Sequence, residues 1–204
     1  MTPFYSQVYL LRHGELEEQN VLAGHTDFLL SEEGIQQLKI ACEGLANVDQ
    51  VCSSPLKRCS QFADSFSDAN HLPLYLMEGI KEFNFGDWDG RKYDELWQLA
   101  SAPTIGDFWQ NPWFVSPPNG EDMADFYSRV HHWWQQTLID ITEKKIQSQL
   151  VVTHAGVIKQ LLAIICQMPK QINYQNIFTV DYGKLVCIDI FVDEQGITWP
   201  KITF

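Results

Sequence analysis

The amino-acid sequence predicts an α/β fold, a three-layer α/β/α sandwich with a mostly parallel central sheet. Short apolar runs alternate with stretches in which apolar residues recur at helical spacing, as expected for strands covered by helices. Two of the runs, residues 8–11 and 150–153, are each followed within two residues by a histidine. A Trp- and Pro-rich region over roughly residues 88–120 predicts an aromatic-rich helical insertion over the sheet edge where an active site would lie. We expect residues 1–204 to form a single domain.

The first half of the chain predicts three strands and two helices. Residues 7–11 form a short apolar run, as a buried strand does. Ser31 suits the N-cap of a first helix because its hydroxyl can accept a backbone N–H of the first turn. That helix continues at helical spacing through Ile35, Leu38, Ala41, Cys42 and Leu45. Residues 50–53 and 72–77 predict two more strands, and Pro55 suits the first turn of a second helix between them.

The second half predicts two helices and three strands. A long helix from Glu121 to about Glu143 has one apolar face, formed by Phe126, Val130, Trp133, Thr137, Leu138 and Ile141. Residues 149–153 predict a strand, and residues 155–166 predict the helix that follows it. Residues 184–192 alternate in polarity as a strand does, and a turn joins them to a last strand at 197–203.

The net charge of the chain excludes one class of partner. It is −12 at pH 7, with a pI of about 4.8, whereas proteins that bind nucleic acid present a basic surface. Screening limits long-range repulsion to about 8–10 Å at physiological salt. A local group of Arg and His side chains can therefore still bind an anion.

The cysteines and the chain terminus predict a cytoplasmic protein. The five cysteines are scattered and form no CxxC pair, which predicts small buried side chains in a reducing compartment rather than a structural metal site. The N-terminus has no basic segment followed by an apolar one, so we expect no signal peptide. No apolar run approaches the roughly 20 residues that span a membrane.

Four segments place reactive side chains at the ends of predicted strands. Arg12 and His13 follow the first strand, His154 follows a later one, and each histidine is followed within two residues by glycine. Arg58 lies at the start of the second helix, where we expect it to be exposed and to serve binding more than folding. Glu82 follows the third strand. Together these side chains could bind a phosphoryl group, attack it, and protonate its leaving group.

The other four histidines do not suggest a metal site. We expect His25, His71, His131 and His132 to be surface or packing residues. His131 and His132 are adjacent on a predicted helix and so do not share a face. Ligand spacings such as HExxH are absent from the sequence. We therefore expect neither a metal nor a cofactor.

Four motifs, in order, resemble the histidine phosphatase (phosphoglycerate mutase-like) superfamily. Residues 11–15 (LRHGE) resemble its signature, and residues 53–58 (SSPLKR) resemble the segment that supplies a second arginine. Residues 82–90 (EFNFGDWDG) are similar to the segment that supplies the acid. Residues 152–156 (VTHAG) resemble the second-histidine motif.

The resemblance implies a role for each of these residues. His13 would be the nucleophile that forms a phosphohistidine. Arg12, Arg58 and His154 would bind the transferred phosphoryl group, and Glu82 would protonate the leaving group and later accept a proton from water. The substrate contacts would be completed by Asn20 and Ala155. No metal is implied, because the arginines supply the positive charge.

Within the superfamily, the chain most resembles the α-ribazole phosphatase subfamily. The resemblance rests on the short chain, on residues 85–91 (FGDWDGR) and on residues 119–122 (NGED) before the long helix. It implies a small phosphorylated metabolite as substrate, α-ribazole 5′-phosphate of cobalamin biosynthesis. That subfamily usually has Glu, Gly and Ser where this chain has Asp89, Asn119 and Asp122.

Three other functions remain open. A broad-specificity phosphatase of small metabolites or sugars is the main alternative. A phosphoglycerate mutase fits less well because mutases of this superfamily usually carry more chain around the site. A non-catalytic binding domain would usually lack one of the five reactive residues, and all five are present. The sequence does not determine the oligomeric state, and a homodimer is compatible with it.

Overall fold

The computed structural model describes residues 1–45, 47–170 and 172–203, and its centre is a six-stranded sheet in the order β3-β2-β4-β1-β5-β6. The strands are β1 (Phe4–Arg12), β2 (Gln50–Ser53), β3 (Leu74–Leu76), β4 (Ser148–Thr153), β5 (Leu185–Val192) and β6 (Thr198–Thr203). The first four are mutually parallel, and β5 and β6 extend the sheet in antiparallel fashion from β1. The predicted mostly parallel sheet is confirmed.

Six α-helices accompany the sheet in the described parts of the chain. They are α1 (Glu32–Cys42), α2 (Lys57–Asn70), α3 (Tyr93–Trp97), α4 (Ile105–Gln110), α5 (Met123–Lys144) and α6 (Ala155–Ile165). Short 3-10 segments are found at Glu78–Ile80, Gly86–Trp88 and Tyr174–Asn176. None of these described helices is both long and apolar enough to cross a lipid bilayer.

Each face of the sheet packs against its own group of helices. Successive strand residues point to opposite faces, so neighbouring Leu10 and Leu11 belong to different cores. On the Leu10 face, α5 and α6 contribute Phe126, Val130, Ile141, Val157 and Leu161. On the Leu11 face, α1 and α2 contribute Leu38, Cys42, Cys59 and Phe62. The three-layer arrangement follows from this division of apolar side chains.

The starts of α1 and α2 differ in how they are capped. Ser31 caps α1 as predicted, since its hydroxyl accepts the N–H of Gly34 at 2.9 Å. The prediction that Pro55 lies in the first turn of α2 is wrong, because the helix begins at Lys57 after an extended Leu56. The Lys57 N–H instead donates to the carboxylate of Asp27 at 2.6 Å. A distant loop therefore supplies the cap for α2.

The aromatic-rich region forms short helices packed beside the sheet edge. Helices α3 and α4 lie within it, and most of its aromatic rings lie in the core on the Leu10 face or pack against that core. Phe83 contacts Phe85 and Phe108 at ring-centroid distances of 5.1 and 5.4 Å, and Phe108 contacts Trp109 at 4.9 Å. These contacts fix the side of a cleft that opens above the sheet.

The cysteines are free thiols in varied surroundings. Cys42, Cys52 and Cys59 are buried as predicted, and burial raises the pKa of each thiol to about 12. The prediction of burial is wrong for Cys166, which is exposed because it follows the last residue of α6, and Cys187 is only partly buried.

Candidate active site

The reactive residues meet because β1 and β4 are parallel neighbours in register. Arg12 pairs with Thr153 at the carboxyl ends of the two strands, so the next residues, His13 and His154, lie side by side. Their ring centroids are 5.2 Å apart. The adjoining cleft has a volume of about 610 Å³, and its lining includes Arg12, His13 and Glu82. Open α/β sheets bind ligands at this edge.

His13 is a neutral imidazole, and one of its two ring nitrogens is hydrogen-bonded to the backbone. Its Nδ1–H donates to the carbonyl oxygen of Gly14 at 2.8 Å, which leaves the lone pair on Nε2. Burial, followed by the charges of Arg58 and Arg12, lowers the pKa of His13 well below its ordinary value. The ring therefore remains an unprotonated, potentially nucleophilic base at neutral pH.

Glycine is required directly after His13 because two backbone segments meet there. A Cβ on Gly14 would overlap the backbone of Gly34, and a Cβ on Gly34 would overlap the backbone of Glu15. The loop after β1 thus packs tightly onto the start of α1. This contact accounts for the glycine in the Arg-His-Gly triplet and fixes the carbonyl that orients His13.

Arg12 is fixed in the wall of the cleft by contacts with the segment before β5. Its NH1 group donates to the carbonyl of Val180 at 2.6 Å, and its guanidinium stacks on the ring of Tyr182 at 3.9 Å. The buried Nε has no hydrogen-bond partner among the described residues. Burial lowers the pKa of Arg12, but a guanidinium stays charged in proteins. Arg12 can therefore offer a charged donor to an anion.

Glu82 is buried in the lining of the cleft, where two backbone groups hold its carboxylate. The N–H of Phe83 donates to Oε1 at 2.9 Å, and the N–H of Gly156 donates to Oε2 at 3.0 Å. A Cβ on Gly156 would overlap this carboxylate, so the glycine at the start of α6 leaves room for it. The first turn of α6 and the loop after β3 together set the position of Glu82.

Five other acidic side chains are alternatives to Glu82 as the proton donor, and each of them has a partner of its own. Asp89 accepts the backbone N–H groups of residues 24–26 at 2.6 to 3.1 Å, and Glu121 is paired with Arg129. Asp27 caps α2, Asp87 accepts from the Asn119 amide, and Glu15 accepts from Gln19. Among these acids, Glu82 alone belongs to the lining of the cleft in the described structure.

Arg58 and His154 are 0% exposed, behind the cleft rather than in its lining within the described residues. The expectation that Arg58 is exposed at a helix start is wrong, because the loop at residues 23–26 covers the first turn of α2. Its guanidinium donates to the carbonyls of Ala23, Gly24 and Thr26 at 3.3, 2.6 and 3.0 Å. Its Nε donates to Nδ1 of His154 at 3.2 Å.

His154 has protein partners on both ring nitrogens. Nδ1 accepts from Arg58, so Nε2 carries the hydrogen and donates to Ser54 Oγ at 2.8 Å. Burial, together with the positive charge of Arg58, lowers the pKa of His154 well below its ordinary value. His154 is therefore a neutral ring that links β4 to the start of α2, directly beside His13.

The remaining candidates fall into two groups. Asn20 and Ala155 line the cleft, and Asn20 has a left-handed backbone with φ of 59°. His25 is half-buried, and His71 and His132 are exposed. Within the described residues, no three or more His, Cys, Asp or Glu side chains are grouped so as to hold a metal ion.

The comparison with known families agrees with this geometry. A sequence model of the histidine phosphatase superfamily (branch 1) matches residues 8–200. The chain belongs to the histidine phosphatase superfamily. Its predicted membership is therefore confirmed.

Relatives within the superfamily include phosphatases and a mutase. The chain is 30% identical over 190 residues to an adenosylcobalamin/alpha-ribazole phosphatase of Escherichia coli, a match that covers 90% of each chain. It is 28% identical over 163 residues to a phosphoglycerate mutase of Schizosaccharomyces pombe, covering 75% of this chain and 76% of the mutase. The crystal structure of the alpha-ribazole phosphatase from Shigella flexneri superposes with a TM-score of 0.80 and 27% identity, covering 96% of this chain and 95% of that one. These relatives support phosphatase activity.

Other parts of the histidine phosphatase site were not predicted from the sequence. The segment before β5 contributes Phe178, Val180 and Tyr182 to the cleft, and α6 contributes Lys159. The Lys159 ammonium donates to the carbonyl of Gln175 at 2.9 Å and so ties this segment to α6. Apolar residues alternate with polar ones over residues 178–182, but the segment contains no recognisable motif, and the pairing of β5 with β1 places it beside Arg12.

Proposed function

We propose that this chain is a phosphomonoesterase that works through a phosphohistidine on His13. Nε2 of His13 attacks phosphorus, the bond from phosphorus to the leaving oxygen breaks, and Glu82 gives that oxygen a proton. Water then attacks the phosphohistidine, Glu82 takes back a proton, and the P–N bond breaks to release inorganic phosphate. The observation that carries the proposal is the neutral, buried His13 in one cleft with Arg12 and Glu82.

Positive charge on two sides of His13 supports the same chemistry. Arg12 lines the cleft, so its guanidinium can bind a phosphoryl oxygen, and Arg58 supplies a second charge from behind. We propose that His154 and Arg58 act on the phosphoryl group next to His13, with Asn20 and Ala155 completing its surroundings. The two guanidinium groups supply the charge that a metal ion supplies elsewhere, so the reaction is expected to need no divalent metal.

The cleft favours a flat, apolar leaving group. Tyr93 and Trp109 from the aromatic-rich region and Phe178 from the segment before β5 are partly accessible rings in its lining. Aromatic rings stack on flat heterocycles, so this lining supports α-ribazole 5′-phosphate as the substrate. The identity to enzymes named as acting on alpha-ribazole supports the same choice. The main alternative is a broader range of small phosphorylated metabolites or sugars.

Trapping the covalent intermediate tests the proposed mechanism. We expect wild-type protein, mixed rapidly with labelled substrate and quenched without acid, to retain label in an acid-labile form. His13→Ala should retain none and should lose turnover. The matched control is His132→Ala, which removes an exposed histidine of α5 and should label normally. Full labelling of the His13→Ala variant would reject the nucleophile.

A substrate panel separates the candidate functions. We expect α-ribazole 5′-phosphate to be hydrolysed with a kcat/KM at least about tenfold above those of sugar phosphates and phosphoglycerates, a difference of about 1.4 kcal/mol. Every assay is run with and without EDTA, and equal rates are expected. Similar efficiency on all substrates would favour the broad-specificity alternative. Loss of activity in EDTA, with recovery on adding magnesium, would contradict metal independence.

A further inference from the structure

The backbone that carries Glu82 is held from behind by one guanidinium on α5. Arg129 donates from NH1 to the carbonyls of Gly79 and Lys81 at 3.1 and 2.7 Å, and from NH2 to the carbonyl of Glu82 itself at 2.9 Å. Three carbonyl groups within residues 79–82 thus converge on a single side chain. A guanidinium suits this task because its donors are fixed in one plane.

Glu121 completes the arrangement from the segment just before α5. Its carboxylate accepts from Nε of Arg129 at 2.6 Å and from NH2 at 2.9 Å. With the three carbonyl bonds, all five N–H donors of the guanidinium have an acceptor. Glu121 also makes a backbone hydrogen bond with Asn84, two residues beyond Glu82. The N–H of Glu121 donates to the Asn84 carbonyl at 2.9 Å. The pair therefore fixes the loop on both sides of Glu82.

The pair is separated from the reacting groups by the loop that it holds. Arg129 and Glu121 line a smaller surface cavity of about 380 Å³, together with His25 and Lys81, and neither belongs to the lining of the main cleft in the described structure. His25 Nε2 donates to the same Glu82 carbonyl at 2.9 Å. Neither member of the pair can therefore touch a substrate held against His13.

We propose that Arg129 and Glu121 are positioning residues that set Glu82 for proton transfer. The inference rests on the proposed role of Glu82 as general acid. The Glu82 carboxylate is aimed by the N–H groups of Phe83 and Gly156, and the first of these belongs to the backbone that Arg129 fixes. Displacing this backbone moves the carboxyl from the leaving oxygen. Misplacement by about 1 Å can cost roughly a hundredfold in rate.

The test compares leaving groups that do and do not need a proton. We measure the single-turnover rate of phosphoenzyme formation with an alkyl phosphate and with nitrophenyl phosphate. For Arg129→Gln we expect a loss of about tenfold or more on the alkyl phosphate and less than about threefold on nitrophenyl phosphate. In a Glu82→Gln background, Arg129→Gln should cause no further leaving-group-dependent loss, because the group that it positions is gone.

Two further variants show whether the effect of Arg129→Gln comes from a folding defect or from the loss of any ion pair. Arg129→Gln could destabilise the chain, so Glu121→Gln is measured as well; it keeps the three carbonyl bonds and should show the same leaving-group preference to a smaller extent. The matched control is Arg91→Gln, which breaks the more exposed Arg91–Glu95 pair, 3.7 Å apart, and should change neither rate.

The outcomes separate the two proposals. If Glu82→Gln lowers the rate of phosphoenzyme formation equally on both substrates, the acid is elsewhere and both proposals are overturned. In a second case, the rate loss of Glu82→Gln depends on the leaving group, while Arg129→Gln and Glu121→Gln lower the rate equally on both substrates. Glu82 then remains the acid, and only the positioning role is overturned.

Discussion

The imidazole rings of His13 and His154 differ in their hydrogen bonding although their sequence settings are alike. Each follows an apolar strand and precedes a glycine within two residues. In the structure, Nδ1 of His13 donates to a carbonyl, whereas Nδ1 of His154 accepts from Arg58. The free lone pair is therefore on Nε2 of His13 alone. The motifs predicted which two rings meet, but only the neighbours of each ring distinguish the nucleophile.

Arg58 contributes to stability as well as to the site. Its buried guanidinium makes hydrogen bonds to three carbonyls of the loop at residues 23–26 and to His154, and Arg58→Ala would leave those acceptors without partners. We expect the free energy of unfolding to fall by about 2–4 kcal/mol. Urea unfolding followed by tryptophan fluorescence measures it.

The adjacent residue is the control for this prediction. The Lys57 side chain is 57% exposed and lies 3.7 Å from Asp27 in a surface ion pair, so Lys57→Ala should change stability by less than about 1 kcal/mol. An Arg58→Ala variant as stable as Lys57→Ala would show that the buried hydrogen bonds contribute little to folding.

At the level of elements, the loop at residues 23–26 joins the aromatic-rich region to α2. The Asp89 carboxylate accepts the N–H groups of Gly24, His25 and Thr26 at 3.1, 2.6 and 3.0 Å. The Arg58 guanidinium donates hydrogen bonds to the carbonyls of Thr26 and Gly24 in the same loop. The loop therefore has its donors and acceptors satisfied by residues far away in the sequence.

Asp89→Asn tests whether this carboxylate is structural. The Asn amide has one acceptor oxygen and would turn an NH2 group toward backbone donors. We therefore expect a loss of about 1–3 kcal/mol in the free energy of unfolding. Asp94→Asn, on the exposed side of α3, is the control and should be neutral. An Asp89→Asn variant of normal stability that loses activity on alkyl phosphates alone would instead identify Asp89 as the acid.

Element boundaries were predictable wherever local signals agreed. The strands followed the apolar runs, and α1 began at the predicted Ser31 cap. Leu45 was predicted on the same helical face, but α1 ends at Cys42, and Gly44 has a left-handed backbone with φ of 86°. Leu45 therefore packs against the core from a turn. The start of α2 was placed wrongly because its cap, Asp27, is 30 residues away from Lys57.

At the level of the whole molecule, the motifs predicted the reacting groups but not what holds them. Arg12, His13 and Glu82 were predictable because each lies in a short motif, the first two at the end of β1 and Glu82 in the loop after β3. Tyr182 and Arg129 were not, because they belong to segments with no motif of their own. Arg12 and the carbonyl of Val180 are 168 residues apart in the chain, and the antiparallel addition of β5 beside β1 brings them together. The contacts that hold the reacting groups therefore depend on which segments the sheet topology brings together.

The two buried histidines also predict how the stability of the whole molecule depends on pH. Burial and nearby arginines lower the pKa of both His13 and His154, so the folded protein keeps them neutral. In the unfolded chain a histidine takes up a proton near pH 6.5. Below that pH the unfolded state binds more protons than the folded state, so the free energy of unfolding falls as the pH falls. The contribution is fully present above about pH 6.5.

Urea unfolding at pH 7.5 and pH 5.5, in buffer free of phosphate, measures this effect. Each buried histidine should account for up to about 1.4 kcal/mol of the difference between the two pH values. His154→Asn removes one of the two groups, so its pH dependence should be smaller than that of wild type by that amount. His132→Asn, on the exposed side of α5, should retain the full wild-type dependence. The carboxylates are the same in all three proteins, so their contribution to the pH dependence cancels when the proteins are compared. An unchanged pH dependence in His154→Asn would mean that this ring is protonated in the folded state, and Arg58 could then no longer donate to its Nδ1.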